Sequence, residues 1–340
     1  MPNTSTLAGG PIAASTHPSL PTDRVAYLDG WRGLAIGLVL ISHFLPRTPW
    51  FNSGLLGVDI FFCLSGLLMS RLLFVRRMDL KTFYKRRASR ILPVFFLFVG
   101  VVFAIHWVKT GRLDSIELIP TALFLRTYVP AVPDIWHSPL PIGHLWSLNV
   151  EEHCYVLMGL LTLAAWLRGR EWLVLVGAGL LTIVIYIAYV KLPGLVPPWG
   201  DAGTEVVAGP LLLSAGYALV SSRLAPFVRP WMPVAAFAAA TLCFTSLLPR
   251  WSIVLVAPFF LAFAVNHLDV SSQIVRTVLS WPPLRLLGVW SFSIYIWQQP
   301  IHQAQALFPF GSGLFAAMAI GVLSFSMFES PVREWLNRNW

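Results

Sequence analysis

The chain has 340 residues, of which 56% are hydrophobic and only 11% are charged. Soluble domains carry about a quarter charged residues, so this composition excludes an ordinary soluble domain and predicts an integral membrane protein. The net charge of +9 does not require a nucleic-acid partner, because lysine and arginine normally flank membrane spans.

The N-terminal segment differs from the rest of the chain. Residues 1–23 are rich in Pro, Ser, Thr and Ala, and they have neither the basic start nor the apolar segment of a signal peptide. We predict that this segment is a disordered tail. Residues 24–340 are predicted to form one transmembrane domain.

Ten apolar runs of about 20 residues are long enough for transmembrane helices. They lie near 26–45, 55–74, 90–108, 145–167, 172–191, 205–222, 231–249, 252–267, 284–303 and 306–328. With the N-terminus inside, 18 of the 24 lysines and arginines fall on the cytoplasmic side, as the positive-inside rule requires. The sequence therefore predicts an all-α bundle of about ten transmembrane helices with both termini in the cytoplasm.

The longest connection between spans is predicted to lie outside the membrane, at about 109–144. It contains five prolines, Pro120, Pro130, Pro133, Pro139 and Pro141. Loops of this length are usually functional. We expect it to serve as a lid or as a wall of a substrate site.

Two ionisable residues share one face of the first span. Arg32 and His43 are eleven residues apart, which is about 1100° of helical rotation and a rise of about 16 Å. Arg32 is then expected near the cytoplasmic end and His43 near the outer end. An ionisable side chain within a span often marks a reaction site. The alternative is that Arg32 reaches the inner headgroups and His43 bonds a neighbouring helix.

Polar residues of three further spans are predicted at the depth of His43. They are Asp59, then Glu151, Glu152 and His153, then Gln298, Gln299 and His302. A carboxylate beside an imidazole can fix its tautomer and stabilise the imidazolium, as a general base requires. Each of these residues alone is more often structural, but four helices delivering polar groups to one layer favours a catalytic site.

A basic cluster is predicted on the cytoplasmic side. Arg87 and Arg90 are three residues apart, on neighbouring helix positions, and Arg32 lies at the same side of the membrane. Guanidinium groups match the oxygens of phosphate, although ordinary positive-inside charge and anionic lipid also explain such residues. A ligand with a phosphorylated head and a thin arm of roughly 15 to 20 Å would reach from this cluster to His43. Coenzyme A has that shape.

Six motifs, in order along nearly the whole chain, resemble the membrane-bound acyltransferase 3 family. They are YLDGWRGLAIGLVLISH, with the Arg, ten residues, His pattern of the family; GVDIFFCLSGLL; FYKRRASRILP, with its RxxR motif; WSLNVEEHCY; SFSIYIWQQP; and FESPVREW, with the terminal ExPxR pattern. The family transfers acyl groups from acyl-CoA to sugars and other acceptors. The domain 24–340 is accordingly expected to be an acyltransferase 3 transmembrane domain.

The resemblance implies roles for particular residues. His43 is expected to be the essential catalytic histidine with Arg32 as its partner in the motif, and Arg87 with Arg90 to belong to the acyl-CoA site. The resemblance also marks Glu151 as functionally important.

Further site residues follow from position. Asp59 is added as a catalytic residue because of its predicted depth, and Arg86 is added to the phosphate cluster. Acceptor contacts are predicted for four residues, Glu152, His153, Gln298 and His302. Gln298 stands where the family often has histidine, and His302, one turn along, could compensate.

These observations predict an acyl-CoA-dependent O-acyltransferase of the bacterial cell membrane, with multiple spans and no metal. It would transfer an acyl group, most simply acetyl, from cytoplasmic acyl-CoA to a hydroxyl of a glycan or glycolipid at the outer side. His43 would accept the hydroxyl proton, and Glu151 or Asp59 would hold its tautomer. A lipid or macrolide-like acceptor stays open. A second alternative also stays open: the protein could be a proton-coupled transporter or flippase of an amphiphilic substrate. That alternative gives the arginine cluster no role.

Overall fold

The structure, a computed structural model, describes residues 25–46, 49–129, 135–309 and 311–340. Over these residues the chain is helical and forms no strand, apart from one isolated bridge between Phe51 and Thr245. The predicted all-α class is therefore confirmed for the described residues. The predicted tail, 1–23, lies outside them.

Sixteen α-helices occur in the described parts of the chain. The first eight are α1 (Ala26–Phe44), α2 (Ser53–Ser70), α3 (Leu80–Thr110), α4 (Ser115–Ala122), α5 (Trp146–Leu163), α6 (Glu171–Lys191), α7 (Thr204–Val207) and α8 (Gly209–Ala218). The others are α9 (Ser221–Leu224), α10 (Met232–Cys243), α11 (Trp251–Leu255), α12 (Ala257–Asn266), α13 (Gln273–Leu279), α14 (Pro282–Gln303), α15 (Ser312–Ser324) and α16 (Ser330–Asn339). A π-helical turn, Arg71–Val75, extends α2, and another, Phe325–Glu329, joins α15 to α16.

Two of the predicted spans are broken helices. The run near 205–222 is divided between α7 and α8, and the run near 252–267 between α11 and α12. In each case a proline, Pro210 or Pro258, stands in the first turn of the second piece. Proline has no N–H for the helical hydrogen bond and fits best in a first turn, so the helix restarts there.

Four helices of the described chain are long and apolar enough to cross a membrane. They are Ser53–Val75, Leu80–Thr110, Glu171–Lys191 and Ser312–Asn339. The helices α1, α5 and α14 are 19, 18 and 22 residues long, but they carry the polar residues of the site described below. The structure is thus that of an all-α membrane protein, and the number of ten spans and the position of the termini stay predictions.

The helix α1 lies at the centre of the bundle, between α2 and α14. Close approach of α1 and α14 depends on glycine, because a Cβ at Gly288 would overlap the carbonyl of Asp29, and one at Gly33 would overlap the carbonyl of Leu284. Small residues commonly allow such contact between membrane helices. The side chains of α1 and α14 are therefore held side by side.

The connection that the sequence predicts to be external is anchored by a buried ion pair. Arg126 Nη2 lies 3.3 Å from Glu117 Oε1, and Ser138 Oγ donates to Glu117 Oε2 at 2.6 Å. From Leu140 to Leu145 the chain then runs through the protein interior, where Leu140, Leu145 and the residues His144 and Ile142 are buried. As a result α5 begins inside the bundle. Of the prolines predicted in this loop, Pro130 and Pro133 lie outside the described residues.

Candidate active site

A cavity of about 100 Å³ lies among α1, α2, α3, α5 and α14. Half of its lining residues are apolar, among them Phe61, Phe62 and Leu68 of α2 and Phe292 of α14. The other half are polar or charged: Arg32, Ser65, Arg87, Arg90, Ser147, Glu151, Ser291 and Tyr295. The cavity therefore combines apolar walls with polar groups that can orient a ligand.

One end of the cavity is strongly basic. Arg90 interacts unfavourably with Arg32, Arg87 and Arg333, and favourably with Glu329. No hydrogen bond or ion pair involving Arg90 occurs in the described parts of the chain, whereas Arg32 binds Asp29 at 3.1 Å. A half-buried guanidinium without a protein partner is an open position for an anion such as phosphate.

The other arginines of the predicted cluster have different surroundings. Arg87 lies 3.4 Å from Glu152 Oε1 and 3.8 Å from Glu151 Oε2, and its guanidinium stacks 4.0 Å from the centre of the Tyr155 ring. Its charge is thus already compensated by the protein. Arg86 is exposed and does not line the cavity.

Hydroxyl groups line the middle of the cavity. Ser65 Oγ donates to Glu151 Oε1 at 2.6 Å, and Tyr155 donates to the other oxygen of the same carboxylate at 3.0 Å. Further along, the hydroxyls of Ser147 and Tyr295 are 2.6 Å apart. These groups can donate and accept hydrogen bonds along an extended polar chain.

The outer part of the site is built around His43. Its Nδ1 lies 2.6 Å from Gln298 Oε1, and its ring stacks on His302 with the centroids 4.6 Å apart. An amide oxygen only accepts, so Nδ1 must donate and Nε2 carries the lone pair. His43 is therefore held in the tautomer that a general base needs.

The helices α1 and α14 connect the two ends of the site. Ser291, Tyr295, Gln298 and His302 follow one face of α14 at helical spacing, beginning at the cavity and ending at His43. On α1, Arg32 lines the cavity and His43 meets Gln298. His43 itself is not among the residues that line the cavity.

The carboxylates that the sequence predicts beside His43 bond other groups. No hydrogen bond or ion pair joins His43 to Glu151, Glu152 or Asp59 over the described residues, and the amide of Gln298 bonds its Nδ1. Glu151 and Glu152 lie with Arg87. Their predicted roles stay predictions.

Asp59 and His153 likewise form no hydrogen bond with His43 over the described residues. Asp59 is buried on the side of α2 that packs against α8, one turn before Cys63, which bonds the carbonyl of Pro210. His153 bonds Thr204 at 2.8 Å. Gln298 and His302, by contrast, contact His43 directly. Their predicted roles toward the acceptor stay predictions.

One residue of the site is missing from the sequence predictions. His144 is buried against Phe98 and Tyr295, and its backbone carbonyl accepts from the Tyr295 hydroxyl at 2.9 Å. A histidine two residues before WSL was the available signal. The sequence predicts an external loop here, because nothing local indicates that this segment enters the bundle.

Comparison with known proteins identifies the family of the chain. A family model described as an acyltransferase domain matches residues 25–328, so the chain belongs to the acyltransferase 3 family, as its motifs predict. It is an acyltransferase by class. No solved structure matches it.

Curated relatives are similar over nearly the whole chain. It is 27% identical to the putative peptidoglycan O-acetyltransferase YrhL of Bacillus subtilis, over 90% of this chain and 54% of the relative. It is 29% identical to the peptidoglycan O-acetyltransferase OatA of Listeria monocytogenes, over 91% of this chain and 56% of the relative. With the O-acetyltransferase OatA of Staphylococcus aureus the identity is 25%, over 90% and 57%. The chain thus spans about half the length of these relatives.

Proposed function

We propose that this protein is a multi-pass O-acetyltransferase of the cell membrane. It takes the acyl group from acyl-CoA at the cytoplasmic side and transfers it to a hydroxyl of a glycan at the outer side. One observation carries the proposal: the adjacent faces of α1 and α14 lead from a cavity with an unpaired arginine to a histidine held as a base. No metal takes part in the proposed reaction.

The basic end suits the phosphates of coenzyme A. Arg90 and Arg32 supply charge at the cavity, and we assign Arg90 the largest share because no carboxylate of the described chain pairs with it. Arg87, held by Glu151 and Glu152, orients the cluster. Arg86 is exposed and would contact only the outermost phosphate.

The pantetheine arm would occupy the cavity. Its two amides can exchange hydrogen bonds with the hydroxyls of Ser65, Ser147, Ser291 and Tyr295, which line the space. Arg32 and His43 are eleven positions apart, a rise of about 16 Å. An extended arm of that length brings the thioester to the outer end of the site.

In the proposed chemistry His43 first accepts and then returns one proton during acyl transfer. The acceptor hydroxyl oxygen attacks the thioester carbonyl carbon while His43 Nε2 takes the hydroxyl proton. The carbon–sulfur bond then breaks, and the proton passes to the leaving sulfur. General base catalysis of this kind contributes about 10²- to 10⁴-fold. Gln298 keeps Nδ1 protonated, and stacking on His302 fixes the ring.

A carbohydrate acceptor is favoured by the names of the relatives, two of which are peptidoglycan O-acetyltransferases. The acceptor is expected beside Gln298 and His302, which surround His43. Glu152 and His153 are bonded elsewhere, so we expect them to influence the acceptor only indirectly.

The test measures transfer from radiolabelled acetyl-CoA to chitopentaose, used as a soluble glycan, in membranes with equal amounts of protein. His43→Ala should reduce transfer by about 10²-fold or more, while His106→Ala, at the far end of α3, should leave it unchanged. Transfer by His43→Ala at the parental rate would remove His43 from the mechanism. Absence of saturable acetyl-CoA binding to the parent would reject the donor.

A further inference from the structure

Two buried side chains that interact with His43 carry nitrogen atoms without a hydrogen bond of good geometry in the described parts of the chain. They are Gln298, whose Nε2 is concerned and which is fully buried, and His144, whose ring is concerned and which is 4% exposed. Unpartnered buried donors are rare in native proteins. Two of them around one histidine therefore point to a ligand that supplies the acceptor.

Both side chains contact residues of the site, although neither lines the cavity itself. The Gln298 amide is fixed by its oxygen, 2.6 Å from His43 Nδ1, so its nitrogen is adjacent to the same ring. The His144 ring packs on Tyr295, a residue of the cavity wall, with the centroids 5.4 Å apart. It is also close enough to His43 for electrostatic interaction.

The N–H of His144 remains available to a ligand. The carbonyl of Ile296 attracts this N–H, but the contact does not have the geometry of a full hydrogen bond. This carbonyl lacks its usual helical hydrogen bond, because Pro300, four residues later, has no N–H to donate. A developing oxyanion is a much stronger hydrogen-bond acceptor than a peptide carbonyl at poor geometry. We therefore expect the N–H of His144 to donate its hydrogen bond to the oxyanion.

We propose that His144 and Gln298 form the oxyanion hole of the acyl transfer. This inference depends on the function proposed above. When the hydroxyl oxygen attacks, its proton goes to His43 Nε2, and the carbonyl electron pair moves to the carbonyl oxygen. That oxygen accepts one hydrogen bond from the ring N–H of His144 and one from the amide N–H of Gln298. As the carbonyl re-forms, the carbon–sulfur bond breaks, and the thiolate leaves and takes the proton from His43.

His144 gives the cleaner test, because Gln298 also sets the tautomer of His43. Removing one oxyanion donor costs about 10²- to 10³-fold in kcat. His144→Phe keeps an aromatic ring against Phe98 and Tyr295 but has no N–H. His144→Gln keeps an N–H donor and should recover part of the rate. His267→Phe is the matched control, since His267 is equally buried but bonds Tyr217 away from the cavity.

The decisive measurement compares acetyl-CoA with its dithioester analogue, whose C=S group is a weak hydrogen-bond acceptor. Each protein is reconstituted in lipid vesicles, chitopentaose is the acceptor, and acetyl-CoA binding is measured separately. The parent and His267→Phe should prefer the thioester strongly. His144→Phe should lose about 10²-fold in kcat and most of that preference, with unchanged acetyl-CoA affinity.

Several results would overturn the oxyanion role. One is a kcat of His144→Phe within about threefold of the parent; another is a lower kcat with the parental preference for the thioester, which would indicate a structural role. If His144→Phe does not fold, Gln298→Met decides, because it removes the other donor and should lower the preference for the thioester, whereas His144→Gln should retain it; the parental preference in Gln298→Met would overturn the proposal. Failure of the proposed function looks different, because the parent itself would then not bind or use acetyl-CoA.

Discussion

Arg126 in the external connection and Arg90 at the cavity differ in how their charge is compensated. Arg126 is fully buried and pairs with the buried carboxylate of Glu117, which Ser138 also bonds. Arg90 is half-buried, lies among three other arginines, and has no ion pair over the described residues. The first arrangement is complete without a ligand and stabilises the fold. The second is incomplete, and the missing component is an anion.

The largest effect is expected at the paired arginine. Arg126→Met leaves the carboxylate of Glu117 buried without its cation, which costs about 3–5 kcal/mol. We expect a clear fall in the thermal unfolding midpoint in detergent. Adding Glu117→Met should recover much of the loss, because replacing both members of a buried pair with apolar groups is often neutral. A single variant as stable as the parent would show that the pair is dispensable.

The unpaired arginine should behave in the opposite way. Arg90→Met is expected to leave the unfolding midpoint unchanged or raised, because it removes repulsion with Arg32, Arg87 and Arg333. Hydrogen bonds to charged groups contribute about 1.5–3 kcal/mol, so the Kd for acetyl-CoA should rise about 10- to 100-fold. Equilibrium binding measures this, with the exposed Arg112→Met as control. Unchanged affinity would contradict the phosphate assignment.

A smaller effect is expected at Glu151, which belongs to the cavity but is bonded within the protein. Glu151→Gln keeps the contact with Ser65 and weakens the hold on Arg87, 3.8 Å away. We expect the KM for acetyl-CoA to rise about 3- to 10-fold, as for loss of an interaction of about 1 kcal/mol, with kcat changed less. A loss of more than about 10²-fold in kcat with unchanged KM would instead favour the sequence prediction that Glu151 acts with His43.

The smallest expected effect is that of salt. Mobile ions screen exposed charges, with a Debye length of about 10 Å at 0.1 M and about 3 Å at 1 M. Acetyl-CoA binding by the parent should weaken several-fold over this range, and binding by Arg90→Met should weaken less. Equal salt dependence in both proteins would mean that Arg90 does not carry the charge that attracts the donor.

Much of this protein follows from local properties of the sequence. Apolar runs determine where helices form, because each helix satisfies its own backbone hydrogen bonds in lipid. The spacing of Arg32 and His43 determines that they share one face of α1, since helical rotation is fixed by backbone geometry. The motifs identify the family, and the family model agrees.

Tertiary structure alone decided which residues meet. Gln298, not a carboxylate, bonds His43, because α1 and α14 pack through glycine contacts between residues far apart in the chain. Glu151 lies beside Arg87, and His144 lies inside the bundle, because the external connection enters the interior before α5 begins. Such contacts depend on how a loop folds back on the helices, and neither periodicity nor hydropathy contains that information.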